Sequence, residues 1–151
     1  MGNSDGPRGC TNLKLRQLTR LVSRHYEHHF AELGLRNTQY ALLSFLVELG
    51  PVRPVDLARH MQVDPSTLTR NLQPLTAQGL VKIGEGQDAR SRLVEITPAG
   101  QVKRAEAMQA WRAAQASLDD VLGIERVAAL HDMLDASMEL LGGSSEQYSR
   151  P

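Results

Sequence analysis

Apolar residues recur at a helical period along most of this chain and alternate only briefly, so the pattern predicts a mainly α-helical protein with one small two-stranded β hairpin. From Asn12 to about Leu33, the residues Leu18, Leu21, Val22, Tyr26, Phe30 and Leu33 follow at spacings of three and four. That is the stripe of an amphipathic helix, which Gly34 ends. A second helix is expected from Thr38, read as its N-cap, through Tyr40, Leu42, Leu43, Phe45, Leu46 and Leu49 to the stop at Gly50-Pro51. Its apolar density places it in the middle of the core.

Two short helices follow. One runs from Val55 to Met61, opened by Pro54; the other starts at Asp64-Pro65, a cap followed by a first-turn proline, and reaches about Gln78 before Gly79. Joined this tightly, they outline a helix-turn-helix. Leu80-Val81-Lys82-Ile83 and Leu93-Val94-Glu95-Ile96 then read as strands around a polar, partly basic stretch, which predicts a hairpin with a basic tip. Thr97-Pro98 repeats the cap-plus-proline start and opens a long helix through Met108 and Trp111 to about Val121. After Gly123, a last helix is expected from Ile124 to Leu141, with Gly142-Gly143 and a polar tail closing the chain. Val127, Leu130, Leu134, Met138 and Leu141 form a stripe on it, more apolar surface than so small a fold needs, which points to a dimer interface.

Composition narrows the function. The 151 residues carry 17 basic and 17 acidic side chains, a balance that on its own argues against nucleic acid. The distribution reverses this: residues 53–104 have a net charge of +3 and residues 105–151 a net charge of −5, so a basic face for phosphates is expected in the middle of the chain. Ordinary solvated helix surface is the alternative. No apolar run approaches the roughly 20 residues of a membrane span, and the start lacks a leader pattern, so a cytoplasmic protein is expected. No nucleophile with a nearby base, phosphate loop or paired carboxylate motif is present, so neither enzymatic activity nor a cofactor is expected.

The order helix, helix, helix-turn-helix, hairpin and two long helices resembles the MarR family of bacterial regulators over about residues 11 to 142. The residues that carry the resemblance are Gln39-Tyr40, Val55-Asp56-Leu57-Ala58, Asp64-Pro65-Ser66-Thr67-Leu68-Thr69-Arg70, Leu75 to Leu80, and Asp88-Ala89-Arg90-Ser91-Arg92 through Ile96-Thr97-Pro98-Ala99-Gly100. The resemblance implies a winged helix-turn-helix domain with a helical dimerisation region from both chain ends. The division is then a disordered arm over 1–10, a dimerisation region over 11–34 and 105–142, a DNA-binding domain over 35–104 and a tail over 143–151. It also implies an obligate homodimer on a near-palindromic duplex operator, with half-sites about one helical turn apart.

Within the expected recognition helix, Ser66, Thr67, Thr69, Arg70 and Asn71 are polar, while Leu68, Leu72 and Leu75 have the spacing of a core-facing stripe. Arg pairs bidentately with guanine, Asn with adenine, and the Thr methyl touches thymine, so Arg70 and Asn71 are the candidates for base specificity. By its distance from Ile96-Thr97 and Gly100, Arg90 matches the family's wing arginine, which enters the minor groove. Asp88 is placed to hold a wing guanidinium, that of Arg90 or of Arg92. Lys82, Ser91 and Arg92 read as phosphate contacts.

Three kinds of trigger are considered. The resemblance implies a small, often aromatic acid bound between the dimerisation helices and the DNA-binding lobe, with Arg16, Arg20, His28, Tyr40 and Trp111 as candidate lining residues. Cys10, the one cysteine, stands just before the first helix, where the family's peroxide-sensing branch carries its reactive thiol; a thiol-based redox repressor is the alternative. His25 faces His28 and His29 across one turn, so two imidazoles could meet a metal, but a third ligand is not apparent and no metal is expected. A helical interaction module that does not bind DNA is the reading from another class.

Overall fold

A computed structural model describes residues 8–85 and 91–148. It divides into two compact units, residues 1–113 and 114–151. The first holds α1 (Thr11–Phe30), a 3-10 turn (Ala31–Leu33), α2 (Asn37–Leu49), α3 (Pro54–Met61), α4 (Pro65–Ala77), β1 (Val81–Glu85), β2 (Arg92–Ile96) and the start of α5 (Pro98–Leu122). The second holds the end of α5 and α6 (Ile124–Tyr148). The mainly helical fold with a two-stranded wing is the one the pattern predicts.

In the first unit, α2 is the hub. It packs against α1, α3, α4 and β2, and its Leu42, Leu43 and Leu46 are completely buried. Phe30 from α1, Leu57 from α3, Leu68 and Leu75 from α4, and Val81 and Val94 from the two strands complete the core. Full burial of each such side chain is worth about 1.5–3 kcal/mol, so this one cluster orients the elements that contribute to it.

The wing is an antiparallel pair in the register Val81↔Ile96, Lys82↔Glu95, Ile83↔Val94, Gly84↔Leu93 and Glu85↔Arg92. Val52, just ahead of α3, adds a third short rung: its N–H donates to the Val94 carbonyl (3.1 Å), and the Val94 N–H donates to its own (2.8 Å). Periodicity has no means of showing a one-residue bridge.

Several boundaries differ from expectation. The N-cap of α2 is Arg36, not Thr38, because Gln39 reaches back to accept the Arg36 N–H at 2.9 Å and starts the helix earlier. The first helix tightens into the 3-10 turn before Gly34, which takes φ +61°. Of its stripe, Tyr26 and Phe30 are buried, whereas Leu21 is 62% exposed, since the core reaches only the C-terminal half of α1. The last helix runs on through Gly142-Gly143 to Tyr148; a helical glycine costs only about 1 kcal/mol relative to alanine, so without a proline or a left-handed residue the pair does not stop it. Asp64 is the N-cap of α4 as expected, but its side chain makes no capping bond; Pro65 at the first position starts the helix by its fixed φ.

Candidate nucleic-acid interface

The turn joining α3 to α4 is short because Gln62 takes a left-handed conformation, φ +54°, and the Val63 N–H returns to the Ala58 carbonyl. Helix α4 then buries Leu68, Leu72 and Leu75 and leaves Ser66, Thr69 and Arg70 exposed, with Thr67 and Asn71 half-buried. The Thr69 hydroxyl donates to the Pro65 carbonyl at 3.0 Å. Its one donor is thereby satisfied within the helix, and what it offers outward is chiefly its methyl group. Gly79, at φ +71°, reverses the chain out of α4 and into β1.

The strands bring wing residues beside this helix. A groove of about 560 Å³ runs between them, lined by Pro54, Thr69, Leu72, Gln73, Thr76, Ala77, Ile83 and Arg92. Two residues singled out in the sequence, Thr69 and Arg92, thus meet on one surface. Lys82 lies on the other side of the hairpin, its ammonium 3.4 Å from Glu95 across the strands; both groups are well exposed, so the pair is worth little and leaves Lys82 able to turn to a phosphate. Ser91 lies half-buried just before β2. Asp88 and Arg90 lie outside the described residues.

Two exposed cations that motif reasoning passed over flank Asp56 on α3. Asp56 accepts from Arg53 Nε at 2.7 Å and faces Arg59 Nη1 at 3.4 Å. The Arg53 hydrogen bond holds the Asp56 carboxyl below its ordinary value of 3.8. Arg53, the N-cap residue of α3, precedes Pro54, which lines the groove. The signal was available in the spacing Arg53, Asp56, Arg59, a carboxylate three residues from each of two arginines on one short helix.

A second cleft, of about 460 Å³, lies between α2 and the first part of α5. Tyr40 and Trp111 stack there, ring centroids 6.3 Å apart. Ser44, Glu48, Arg104 and Arg112 share the lining, and Arg104 Nε donates to Ser44 Oγ at 3.3 Å. Among the candidates for a ligand, Tyr40 and Trp111 are brought together; Arg16, Arg20 and His28 are exposed on α1 and do not line this cleft. Arg104 and Arg112 belong to no motif, and although they lie one turn past Gly100 and next to Trp111, nothing local marks which face of α5 meets α2.

The α1 histidines form a cluster, with His25 and His29 ring centroids 5.3 Å apart and those of His28 and His29 at 5.7 Å. His29 Nδ1 is bonded to the His25 carbonyl at 3.0 Å. Among the described residues, no three His, Cys, Asp or Glu side chains are arranged to hold a metal. Cys10 is exposed and is the N-cap residue of α1, its carbonyl accepting the Lys14 N–H.

Comparison with known proteins agrees with this architecture. A family model described as MarR family matches residues 33–91. An uncharacterized HTH-type transcriptional regulator of Bacillus subtilis, YwoH, is 27% identical over 93 residues, 62% of this chain and 68% of its own. The crystal structure of the M. tuberculosis transcriptional regulator MosR in complex with DNA is 30% identical, with a TM-score of 0.70, covering 85% of this chain and 98% of that one. A probable transcriptional regulator from Pseudomonas aeruginosa is 25% identical with a TM-score of 0.76, covering 83% and 95%.

Proposed function

Because the chain belongs to the MarR family of winged-helix, DNA-binding transcription regulators, we propose that it is a homodimeric repressor of a near-palindromic operator, released by a small aromatic or phenolic acid. The observation that carries the DNA reading is the division of α4: three leucines are buried and its polar residues face out beside the wing. In this reading Arg70 and Asn71 read base edges in the major groove, the Thr69 methyl meets thymine, and Ser66 and Thr67 contact the strand where the helix enters. Lys82, Ser91 and Arg92 hold phosphates, joined by Arg53 and Arg59. Arg90 enters the minor groove, with Asp88 steadying the wing.

Dimerisation would cover the apolar side chains that each unit leaves exposed: Leu13, Leu15 and Leu21 in the first, and Ile124, Met133, Met138, Leu140 and Leu141 in the second. The α2–α5 cleft supports the effector reading, because two stacked rings accept an aromatic plane while Arg104 and Arg112 meet a carboxylate. A ligand that prefers a dimer with misspaced recognition helices weakens DNA binding by the same factor that DNA weakens its own. The second reading, thiol-based sensing, rests on the exposure of Cys10 at the start of α1. No helix among the described residues is long and apolar enough to cross a membrane, and we place the protein in the cytoplasm with its DNA.

The test is to enrich a duplex from a random pool on the reduced protein and to measure its anisotropy over a salt series with wild type and Arg90→Ala. Tight, salt-sensitive binding to a near-palindrome, weakened in the variant, is expected. If no duplex is enriched and binding stays weak and nonspecific, the chain is an interaction module instead.

A further inference from the structure

We propose that Thr97 is a positioning residue for DNA recognition, a clasp that holds the wing in a fixed orientation to the recognition helix. The inference rests on the DNA-binding reading of α4 and the wing. Four elements converge on this residue: α4 ends at Ala77, two residues before Gly79, β1 begins at Val81, β2 ends at Ile96 and α5 begins at Pro98. The Thr97 hydroxyl donates to the Gly79 carbonyl at 2.6 Å and accepts the Gly100 N–H at 3.0 Å. Its backbone N–H donates to the Leu80 carbonyl, and its own carbonyl accepts the Gln101 N–H.

An N-cap needs only an acceptor, and the Gly100 bond supplies that role for α5. The other half of the hydroxyl is spent differently. Its proton is given to the Gly79 carbonyl, in the turn just past the C-cap of α4, eighteen residues away in the chain and on the far side of the hairpin. Thr97 therefore ties the exit of the recognition helix to the exit of the wing. The backbone around it is tight: a side chain on Gly100 would collide with the Leu80 carbonyl and with Ile96 Cγ1, so the joint has no slack into which a misplaced strand can relax.

The geometry gives this joint leverage. Arg92 lies opposite Glu85, at the far end of the paired strands from Val81 and Ile96. Four steps of about 3.3 Å put it roughly 13 Å from the root. A tilt of about 10° at the root displaces such a point by roughly 2 Å, enough to break a charge-assisted hydrogen bond to a phosphate, whose length is only about 2.8 Å. The hairpin's own ladder fixes its internal register but not its angle to α4. Among the described residues, the side-chain bond that spans from the wing's exit to the end of α4 is that of Thr97.

Three variants separate the clasp from the cap. Thr97→Ser keeps donor and acceptor, Thr97→Asp keeps the acceptor and loses the donor, and Thr97→Val loses both. On the enriched duplex, Thr97→Ser is expected to bind like wild type, while Thr97→Asp binds about 10-fold more weakly with a salt slope lower by about one, as one phosphate contact is lost. Combining Thr97→Asp with Arg92→Ala should cost little more than either change alone, because both remove the same contact. Thermal unfolding shows whether Thr97→Asp keeps the α5 cap; Thr97→Val is read only as the limit where cap and clasp are both gone. Wild-type affinity and slope in Thr97→Asp, or fully additive losses in the double variant, would overturn the clasp while leaving the regulator intact. A wild-type protein that enriches no duplex would instead remove the DNA-binding reading and the clasp with it.

Discussion

The ring planes of Tyr40 and Trp111 lie 28° from parallel, so α2 and α5 present one aromatic wall to the cleft between them. Trp111 is the one tryptophan of the chain, which makes its fluorescence a report on that wall. Titration with a benzoate-type acid is expected to change the emission and to weaken DNA binding in proportion. Arg104→Gln should raise the ligand dissociation constant about 10-fold, the scale of one charge-assisted hydrogen bond, with DNA affinity in the absence of ligand unchanged. Flat emission up to millimolar acid would remove the cleft as an effector site.

Base readers and phosphate holders should separate cleanly. Arg70→Ala or Asn71→Ala is expected to cost about 1–3 kcal/mol on the preferred duplex and to relax selection at one base-pair position. Arg53→Ala and Arg92→Ala should weaken all duplexes alike and lower the salt slope by about one each. Competition binding against single-base variants of the site distinguishes the two patterns, and a uniform loss in Arg70→Ala would move that residue to the phosphate set.

Gly100 sits under the Leu80 carbonyl, where a Cβ has no room. Gly100→Ala is expected to destabilise the fold by about 1–3 kcal/mol, a fall of several degrees in Tm for a chain this size. Calorimetry reads this directly; an unchanged Tm would mean that the start of α5 shifts freely against β1.

The Asp56 carboxyl, hydrogen-bonded by Arg53, has its pKa held below 3.8. A carboxyl depressed in this way stabilises the fold above its unfolded pKa and loses that contribution as the pH falls through the folded value. NMR should find its midpoint below 3.8 and moving upward in Arg53→Gln. Asp56→Asn should lower stability slightly at neutral pH and not at all in acid below the folded midpoint. Because Asp56 is solvated, the effect is small, and a wild-type midpoint at or above 3.8 would contradict the ion pair.

Leu21 is 62% exposed on α1 and Met138 is 47% exposed on α6. Replacing either with Glu places a charge where the proposed dimer buries an apolar group. Sedimentation equilibrium is expected to show two chains for wild type and a shift toward one for Leu21→Glu and Met138→Glu; a wild-type monomer would end the homodimer reading.

Local chemistry made much of this fold readable. Asp64-Pro65 and Thr97-Pro98 mark helix starts whatever surrounds them, because proline presets the backbone angle that a first helical turn needs. The spacing of Leu68, Leu72 and Leu75 likewise dictates which face of α4 turns inward, and with it that Ser66, Thr69 and Arg70 face out. The start of α2 was misplaced by a side-chain choice: Thr38 is the residue that N-cap propensity favours, but Gln39 reaches back to the Arg36 N–H and starts the helix two residues earlier.

Short-range chemistry alone settled the helical periods, the two proline-marked helix starts, the paired strands and the polar face of α4, since each is set by residues within a few positions of one another. Tertiary structure alone decided that Val52 pairs with Val94, that Thr69 and Arg92 share a groove, that Tyr40 stacks on Trp111, and that Thr97 bonds to Gly79. Those are meetings between residues far apart in the chain. They depend on how several helices and strands settle around the buried leucines of α2, and burial, unlike a cap or a turn, carries no local mark of which distant residue it will bring alongside.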